Sequence, residues 1–216
     1  MKFGALLTDT QGNPFYVDGT LPLSLASKTT YPIGDRTVHA NDGALRFVFC
    51  NSTTANVNFY YYYDSASNTY KINASGTPGS TFTVYIFSYQ YQTPPPWGVA
   101  IWDEQGRCII THETKVLRGV VRVGTPGAES AGYNINTTLA GNYAVAPEML
   151  GYITGVVYQG NMPYPFLAPF FTSAYYNGSS TVIKAVGRGD SGGGGAGNIT
   201  NINYRNAIKA IDITNY

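Results

Sequence analysis

The pentapeptide Gly-Asp-Ser-Gly-Gly at positions 189–193 has the clearest chemical potential in this sequence, because it places Ser191 among glycines. A serine hydroxyl becomes a nucleophile for acyl transfer when a histidine accepts its proton and a carboxylate fixes the imidazole tautomer. The chain has two histidines, His39 and His112. A catalytic role for Ser191 therefore depends on one of these two side chains.

The segments around both histidines argue against a protease. The pentapeptide resembles the loop around the reactive serine of chymotrypsin-like proteases. His39 lies in RTVHANDG and His112 in CIITHETK, and neither segment resembles the cysteine-flanked one that carries the base in that family. Only a short tail follows Ser191, too little for the rest of a second barrel. We therefore do not expect a serine protease.

The loop around Ser191 has two further interpretations, and both are weak. Arg188, Gly189 and Asp190 spell a triplet that resembles an integrin-binding motif. The four consecutive glycines lack the lysine and hydroxyl of a GxxxxGK[ST] phosphate-binding loop. We expect a glycine-rich loop over 187–197 that faces outward, with Arg188, Asp190 and Ser191 exposed.

The other reactive residues mark no catalytic or metal site. The twelve carboxylates fall mostly in turns, and nothing marks a glycosidase pair among them. Cys50, Cys108 and the two histidines lack the C-x-x-C or H-x-x-x-H spacing of metal ligands. We therefore predict no catalytic residue, no metal and no cofactor, and we expect both cysteines to be buried thiols.

Composition excludes some function classes and favours an all-β fold. Of 216 residues only 12% are charged, and the net charge of +1 provides no basic field for nucleic acid. Nineteen tyrosines, ten phenylalanines and twenty-five glycines are typical of short strands joined by turns. No apolar run approaches the ~20 residues of a membrane span. The first residues do not resemble a signal peptide, so we expect folding in the cytoplasm without membrane insertion.

Two similar segments predict β-hairpins. FGALLTDTQGNPF begins at Phe3 and WGVAIWDEQGRCI begins at Trp97, and in each an apolar strand runs into D-x-Q-G. Asp opens a type I turn and Gly tolerates the positive φ that closes it. We predict related hairpins over 3–17 and 97–111, although two common hairpins that merely look alike remain the alternative.

The remaining strand patterns predict an antiparallel β-sandwich built from hairpins. Candidate strands are LPLSLAS, ALRFVFCN, NVNFYYYYD, TYKINAS and TFTVYIFSYQYQ. We assign residues 1–116 to this sandwich and 117–216 to a second β region rich in Gly, Tyr and Pro. There, Gly160 to Phe171 is too proline-rich for a central strand and too apolar for a solvated loop, so we expect it to dock on a neighbour. The end of the chain, from Asn198, predicts one or two closing strands.

Aromatic residues occupy both faces of two candidate strands. In TFTVYIFSYQYQ, Phe82, Val84 and Ile86 share one face, while tyrosines and Phe87 share the other. Such a strand is either sandwiched between layers or presents an aromatic row to a partner. The candidate binding residues on this basis are Tyr60, Tyr62, Tyr85, Tyr89 and Tyr91. They predict either a core or subunit interface, or an exposed surface on which sugars stack.

The two hairpin segments, within residues 1–117, also carry a family resemblance. MKFGALLTDTQGNPFYVDGTLPLSL, followed by PWGVAIWDEQGRCIITHETKVL, resembles an uncharacterised family encoded in the tail modules of bacteriophages of enteric bacteria. That resemblance implies a virion component near the tail tip or fibre, and it supplies no catalytic residues.

Three hypotheses follow. The leading one is a non-enzymatic structural or adhesive protein of a phage tail tip or fibre, which forms homo-oligomers and contacts other virion proteins. The second is a module on the virion surface that binds a host polysaccharide or receptor, or a head decoration protein. The third, which we favour least, is a hydrolase that uses Ser191 or a carboxylate pair.

Overall fold

The computed structural model describes residues 20–125, 131–189 and 196–216, and these residues are almost entirely β-structure. The first nine strands are β1 (Leu23–Pro32), β2 (Gly34–Ala40), β3 (Arg46–Asn51), β4 (Asn58–Asp64), β5 (Thr69–Ser75), β6 (Thr81–Tyr89), β7 (Ala100–Trp102), β8 (Cys108–Thr111) and β9 (Val121–Val123). A single turn of helix, α1 (Ala131–Asn134), precedes β10 (Asn136–Ala140), β11 (Tyr143–Val145), β12 (Met149–Gln159), β13 (Met162–Tyr176), β14 (Ser180–Gly187), β15 (Ala196–Asn203) and β16 (Ile208–Asp212). No helix in the described ranges has the length and apolarity to cross a bilayer.

The strands form two antiparallel sheets that pack as a sandwich, which confirms the predicted fold class. The first sheet has the order β1-β6-β3-β11-β16-β9. The second has the order β10-β14-β13-β4-β5-β2, with β12 added to β13 and β15 added to β12. A separate pair joins β7 to β8. Strands from both sides of residue 117 therefore contribute to both large sheets.

One hydrophobic core lies between the two sheets. Phe82 of the first sheet and Phe59 of the second are both fully buried, and their ring centroids lie 5.8 Å apart. Ile72 and Ile183 add buried side chains from the second sheet. Each such residue contributes about 1.5–3 kcal/mol by leaving water. The core therefore joins the segments 1–116 and 117–216 in the described part of the chain.

Strand β6 is covered on both faces, as its apolar alternation predicts. Phe82, Val84 and Ile86 face the core between the sheets. Phe87 faces a second cluster on the outside of the first sheet, where the ring of the C-terminal Tyr216 packs edge-on against it at 5.0 Å. The strand is thus sandwiched between layers, which is one of the two alternatives that the sequence left open.

The segment from Gly160 to Phe171 begins in a tight turn and continues as the long strand β13, which pairs with β12. As expected, it is not a central strand before Phe170, where the pairing with β14 begins. Its prolines are tolerated because Pro163, Pro165 and Pro169 lie at alternate positions of the strand, so their backbone nitrogens all face the same side of it. The Pro169 carbonyl accepts a hydrogen bond from the Arg188 N–H (2.8 Å), on the side away from β12. The nitrogens of Pro163 and Pro165 face the same side, where β13 has no strand beside it, because its pairing with β14 begins only at Phe170. The prolines therefore remove donors only from an edge.

The second predicted hairpin is confirmed. Strands β7 and β8 pair antiparallel, and the Gly106 N–H donates to the Asp103 carbonyl (3.0 Å) across the turn. The Asp103 carboxylate accepts hydrogen bonds from the N–H groups of Gln105 (3.0 Å) and Arg107 (2.8 Å). Gly106 adopts a φ of 75°, as the turn chemistry requires. The first predicted hairpin, 3–17, lies outside the described residues.

Candidate functional site

Arg188 is part of an internal network and does not face outward as we expected. Its guanidinium donates to the side-chain oxygens of Asn58 and Asn73. It also donates to the backbone carbonyls of Asn58 (3.3 Å) and Asn73 (2.7 Å). The guanidinium lies 4.7 Å from the centre of the Phe171 ring, a cation–π contact. Burial among these groups lowers the pKa of Arg188, and the planar fork ties the end of β14 to β4 and β5.

Tyr60 and Tyr62 lie beside this network on the outer face of the second sheet. Their rings are stacked, with centroids 5.6 Å apart, and Tyr60 also contacts Phe171 at 4.9 Å. The Tyr62 hydroxyl donates to Asp35 (3.1 Å), and the Asn73 side chain donates to the same carboxylate oxygen (2.6 Å). Both tyrosines are half-buried and engaged within the chain. They brace the sheet face and do not form an open aromatic row.

Tyr85 is also removed from any binding surface. It lies in the cluster on the outside of the first sheet and is only 4% exposed. Desolvation raises the pKa of its hydroxyl to about 12. The expectation of a surface site at Tyr85 is therefore corrected, because the C-terminal residues and neighbouring strands cover that face.

Tyr89 and Tyr91 remain accessible, next to the β7–β8 hairpin. They are 52% and 42% exposed, and the Arg107 guanidinium covers the Tyr91 ring at 4.3 Å. The Gln92 N–H donates to the Cys108 carbonyl (2.8 Å), which places this segment beside β8. Two large exposed rings, Trp97 and Trp102, belong to the same region. We call Tyr89, Tyr91, Trp97 and Trp102 the hairpin aromatic surface. Of the five candidate tyrosines, it contains the two that are exposed.

Both histidines have structural contacts. His39 Nε2 lies 2.6 Å from the Tyr61 hydroxyl and Nδ1 lies 2.8 Å from the Ala40 carbonyl oxygen. His112 packs against Trp97 with ring centroids 5.5 Å apart. Asp190 and Ser191 lie outside the described residues, so a nucleophile at Ser191 stays untested. The imidazole of His39 already has a partner at each nitrogen.

The cysteines are buried and separate. Cys50 is fully buried in the core and Cys108 is 5% exposed, and both are free thiols, as the sequence predicts. Desolvation raises the pKa of each thiol. Within residues 20–125, 131–189 and 196–216, no three His, Cys, Asp or Glu side chains come together as metal ligands would.

The most unusual surface carries no reactive side chain. We call it the arm: residues 152–167 of β12 and β13, with β15 paired on the other side of β12. No residue of the arm is fully buried. The exposed apolar side chains on it are Tyr158, Met162, Tyr164, Leu167 and Ile199, each at least 45% exposed.

The arm also has no charge. No Asp, Glu, Lys, Arg or His occurs from Met149 through Ile183, or in β15. This gap in the charge pattern is visible in the sequence, and it is the signal that could have identified the arm where reactive residues could not. An uncharged surface that is apolar on this scale is typical of a protein interface.

Comparison of the chain with protein-family models, with curated proteins and with solved structures found no match. A functional assignment therefore depends on the surfaces of the chain itself.

Proposed function

We propose that the protein is a non-enzymatic structural component of a phage virion, at the tail tip or fibre, and that it assembles with further copies of itself through the arm. The observation that carries this proposal is the combination of exposed apolar side chains and absent charge on the arm. The virion role is supported by the resemblance of residues 1–117 to a phage tail-module family.

A second copy of the chain is the partner that fits the arm best. Two identical charged surfaces repel each other, whereas two uncharged surfaces meet without an electrostatic penalty. Interfaces of homodimers are also more apolar than the average protein surface. Leu167 and Met162, at 57% and 63% exposure, would bury apolar area in such a contact.

The oligomeric state tests the assembly. We expect the wild-type protein to form an oligomer in light scattering coupled to size-exclusion chromatography, and Leu167→Glu to shift it to the monomer, because a buried unpaired carboxylate opposes association. Leu45→Glu is the matched control, since Leu45 is 54% exposed and lies outside the arm. A monomeric wild type, or equal behaviour of the two variants, would contradict the proposal.

The location on the particle needs a separate test. An antibody against the recombinant chain, imaged by electron microscopy on particles from the source genome, should label the tail end. Labelling of the head would assign a decoration role. Absence of the protein from intact particles in mass spectrometry would reject the virion role.

Binding of a host-surface polysaccharide is a second candidate function, favoured by the hairpin aromatic surface. Trp97 and Trp102 are 75% and 51% exposed, and flat exposed rings are suited to stacking on sugars. A saturable change in tryptophan fluorescence on titration with host polysaccharide would support it. A chain with a purely structural role would show no such change.

A further inference from the structure

A polar cleft of about 720 Å³ lies between the edge of the first sheet and the arm. Arg122 of β9 and Lys209 of β16 line it from one side, and Asn201 of β15 lines it from the other. The loop from β15 to β16 adds Arg205. The volume falls within the range of about 300–1,000 Å³ that is usual for small-molecule sites.

The charges in this cleft favour an anionic ligand. Three cations line it, whereas Glu148 is the one carboxylate among the described lining residues. Lys209 lies 3.4 Å from Glu148 and is partly neutralised by it. Neither the Arg122 nor the Arg205 guanidinium forms a hydrogen bond or ion pair with the described residues. Two arginines are thus available on a chain whose net charge is only +1, and an arginine fork matches a carboxylate well.

The remaining lining residues favour a sugar over a simple anion. Asn201, Asn203 and Asn206 line the cleft, and amides both donate to and accept from hydroxyl groups. The Asn203 side-chain N–H already donates to the Asn206 side-chain oxygen, so Asn201 is the amide that we assign to a sugar hydroxyl. Tyr204 lies between them with 54% of its surface exposed. Its ring is braced edge-on by Tyr152 at 5.4 Å. An aromatic ring held in place beside amides is suited to pack against a pyranose.

A neighbouring cleft of about 540 Å³ extends the site. It is lined by Tyr61, Pro147 and Met149, and it shares Glu148, Tyr204 and Arg205 with the first cleft. Glu148 is held in position because its N–H donates to the Thr172 hydroxyl (3.1 Å) and its carbonyl accepts from the Thr172 N–H (3.1 Å). Two clefts that share three residues can together hold more than one sugar residue of a saccharide.

We propose that the two clefts form one groove that binds an oligosaccharide carrying carboxylate groups, with Arg122 and Arg205 on the carboxylates and Tyr204 against a sugar ring. The proposal concerns binding, and Glu148 is the one carboxylate that the described residues place in the groove. The inference does not rest on self-association through the arm, although β15 belongs to both surfaces.

Calorimetric titration with a short oligogalacturonate tests the groove. We expect saturable binding that weakens with added salt, because the contacts are ionic. The methyl ester of the same oligomer keeps the sugar rings and removes the charge, so it should bind at least about tenfold more weakly. Absence of oligogalacturonate binding, or equal binding of the ester, would overturn the proposal.

Variants locate the site. Arg122→Gln combined with Arg205→Gln should weaken binding by at least about tenfold, because it removes the charged contacts to the ligand carboxylates. Lys115→Gln combined with Arg118→Gln removes the same charge from exposed residues outside the groove and should leave the affinity unchanged. Equal loss in both double variants would reduce the effect to net charge.

Two further outcomes distinguish the groove from a different binding surface and from a site for simple anions. Trp102→Ala should retain binding, and its failure to do so would move the ligand to the hairpin aromatic surface. Inorganic phosphate that displaces the oligomer at equal concentration would show a site for a simple anion, which would overturn the assignment of a saccharide.

Discussion

At the scale of single residues, Arg188 shows how far a contact can lie from its sequence context. The sequence places it in a glycine-rich stretch that suggests exposure. In the fold its partners are Asn58, 130 residues away, and Asn73, 115 residues away. No local pattern encodes such a pairing, because the acceptors become neighbours only when β4, β5 and β14 share a sheet. The alternation of β6 groups Tyr89 and Tyr91 with the buried Tyr85. The sequence therefore predicted neither which of these tyrosines are exposed nor the contacts of Arg188.

Loss of the Arg188 side chain should destabilise the protein. Arg188→Met removes the donors to Asn58 and Asn73, and Asn58 is only 3% exposed, so its oxygens cannot turn to water. We expect a decrease of about 3 kcal/mol in the free energy of unfolding. Chemical denaturation measures it, with Arg122→Met as an exposed control near zero. A change below the control's error would show that the network contributes nothing to stability.

His39 should make stability depend on pH. Burial is the main cause that lowers the pKa of His39 below its ordinary value of 6.5. The unfolded chain therefore takes up a proton before the folded one does. This contribution to stability is complete above pH 6.5 and is lost as the pH falls through the lower folded pKa.

Denaturation midpoints measured from about pH 7.5 down to about pH 5 should thus decrease in the wild type. His39→Gln should flatten that part of the profile, since it removes the titrating ring. An unchanged slope in the variant would assign the pH dependence to other groups.

At the scale of elements, the hairpin and β6 were predictable and β13 was not. Turn residues and a period of two are local signals, and both predicted the observed structure for the β7–β8 hairpin and for β6. The prolines of β13 predicted that this segment is not a central strand, which holds up to Phe170. They did not reveal that it is a strand, because prolines exclude a strand only where donors are needed on that side. Whether a donor is needed depends on which strand lies beside it, and that is a property of the whole sheet.

The hairpin offers a test of close packing. At Gly98 the φ is 115°, and an added Cβ would lie 2.1 Å from Cε1 of His112. Gly98→Ala should therefore displace His112 and change the emission of Trp97, whose ring contacts that imidazole. Gly106→Ala is the control, because Gly106 has a positive φ of 75° but nothing within 4 Å of a Cβ. Equal emission spectra for the two alanine variants would contradict the prediction that a Cβ at position 98 displaces His112.

At the scale of the molecule, the two halves of the sequence share one core. β11 pairs with β3, and β13 pairs with β4, so each large sheet joins strands from both sides of residue 117. The sequence after that residue is poor in charged residues because it includes the uncharged arm. Composition reports the surface that a segment exposes, and it carries little information about which strands share a core.

Separated fragments should therefore not fold. Chains 1–116 and 117–216, expressed alone, each lose half of the shared core, and the apolar burial that remains cannot offset the chain entropy. We expect poor dispersion in NMR spectra and no cooperative unfolding for either fragment. The full-length chain is the reference. Cooperative unfolding of one isolated fragment would instead establish the division at residue 117 as a true domain boundary.

The prolines of β13 also limit how many strands from other copies can be added to the arm. In the arm, β15 pairs with β12 alone among the described residues, whereas on the far side of β13 three of the four odd positions from 163 to 169 lack an N–H. If two copies join by antiparallel addition at β15, the two arms form one continuous sheet whose outer edges, within the arms, are the proline-rich edges of β13, and prolines blunt an edge against further strands. Strand addition through the arms then terminates at a pair. An apolar, uncharged arm would in this way be protected from runaway fibre formation by its own sequence.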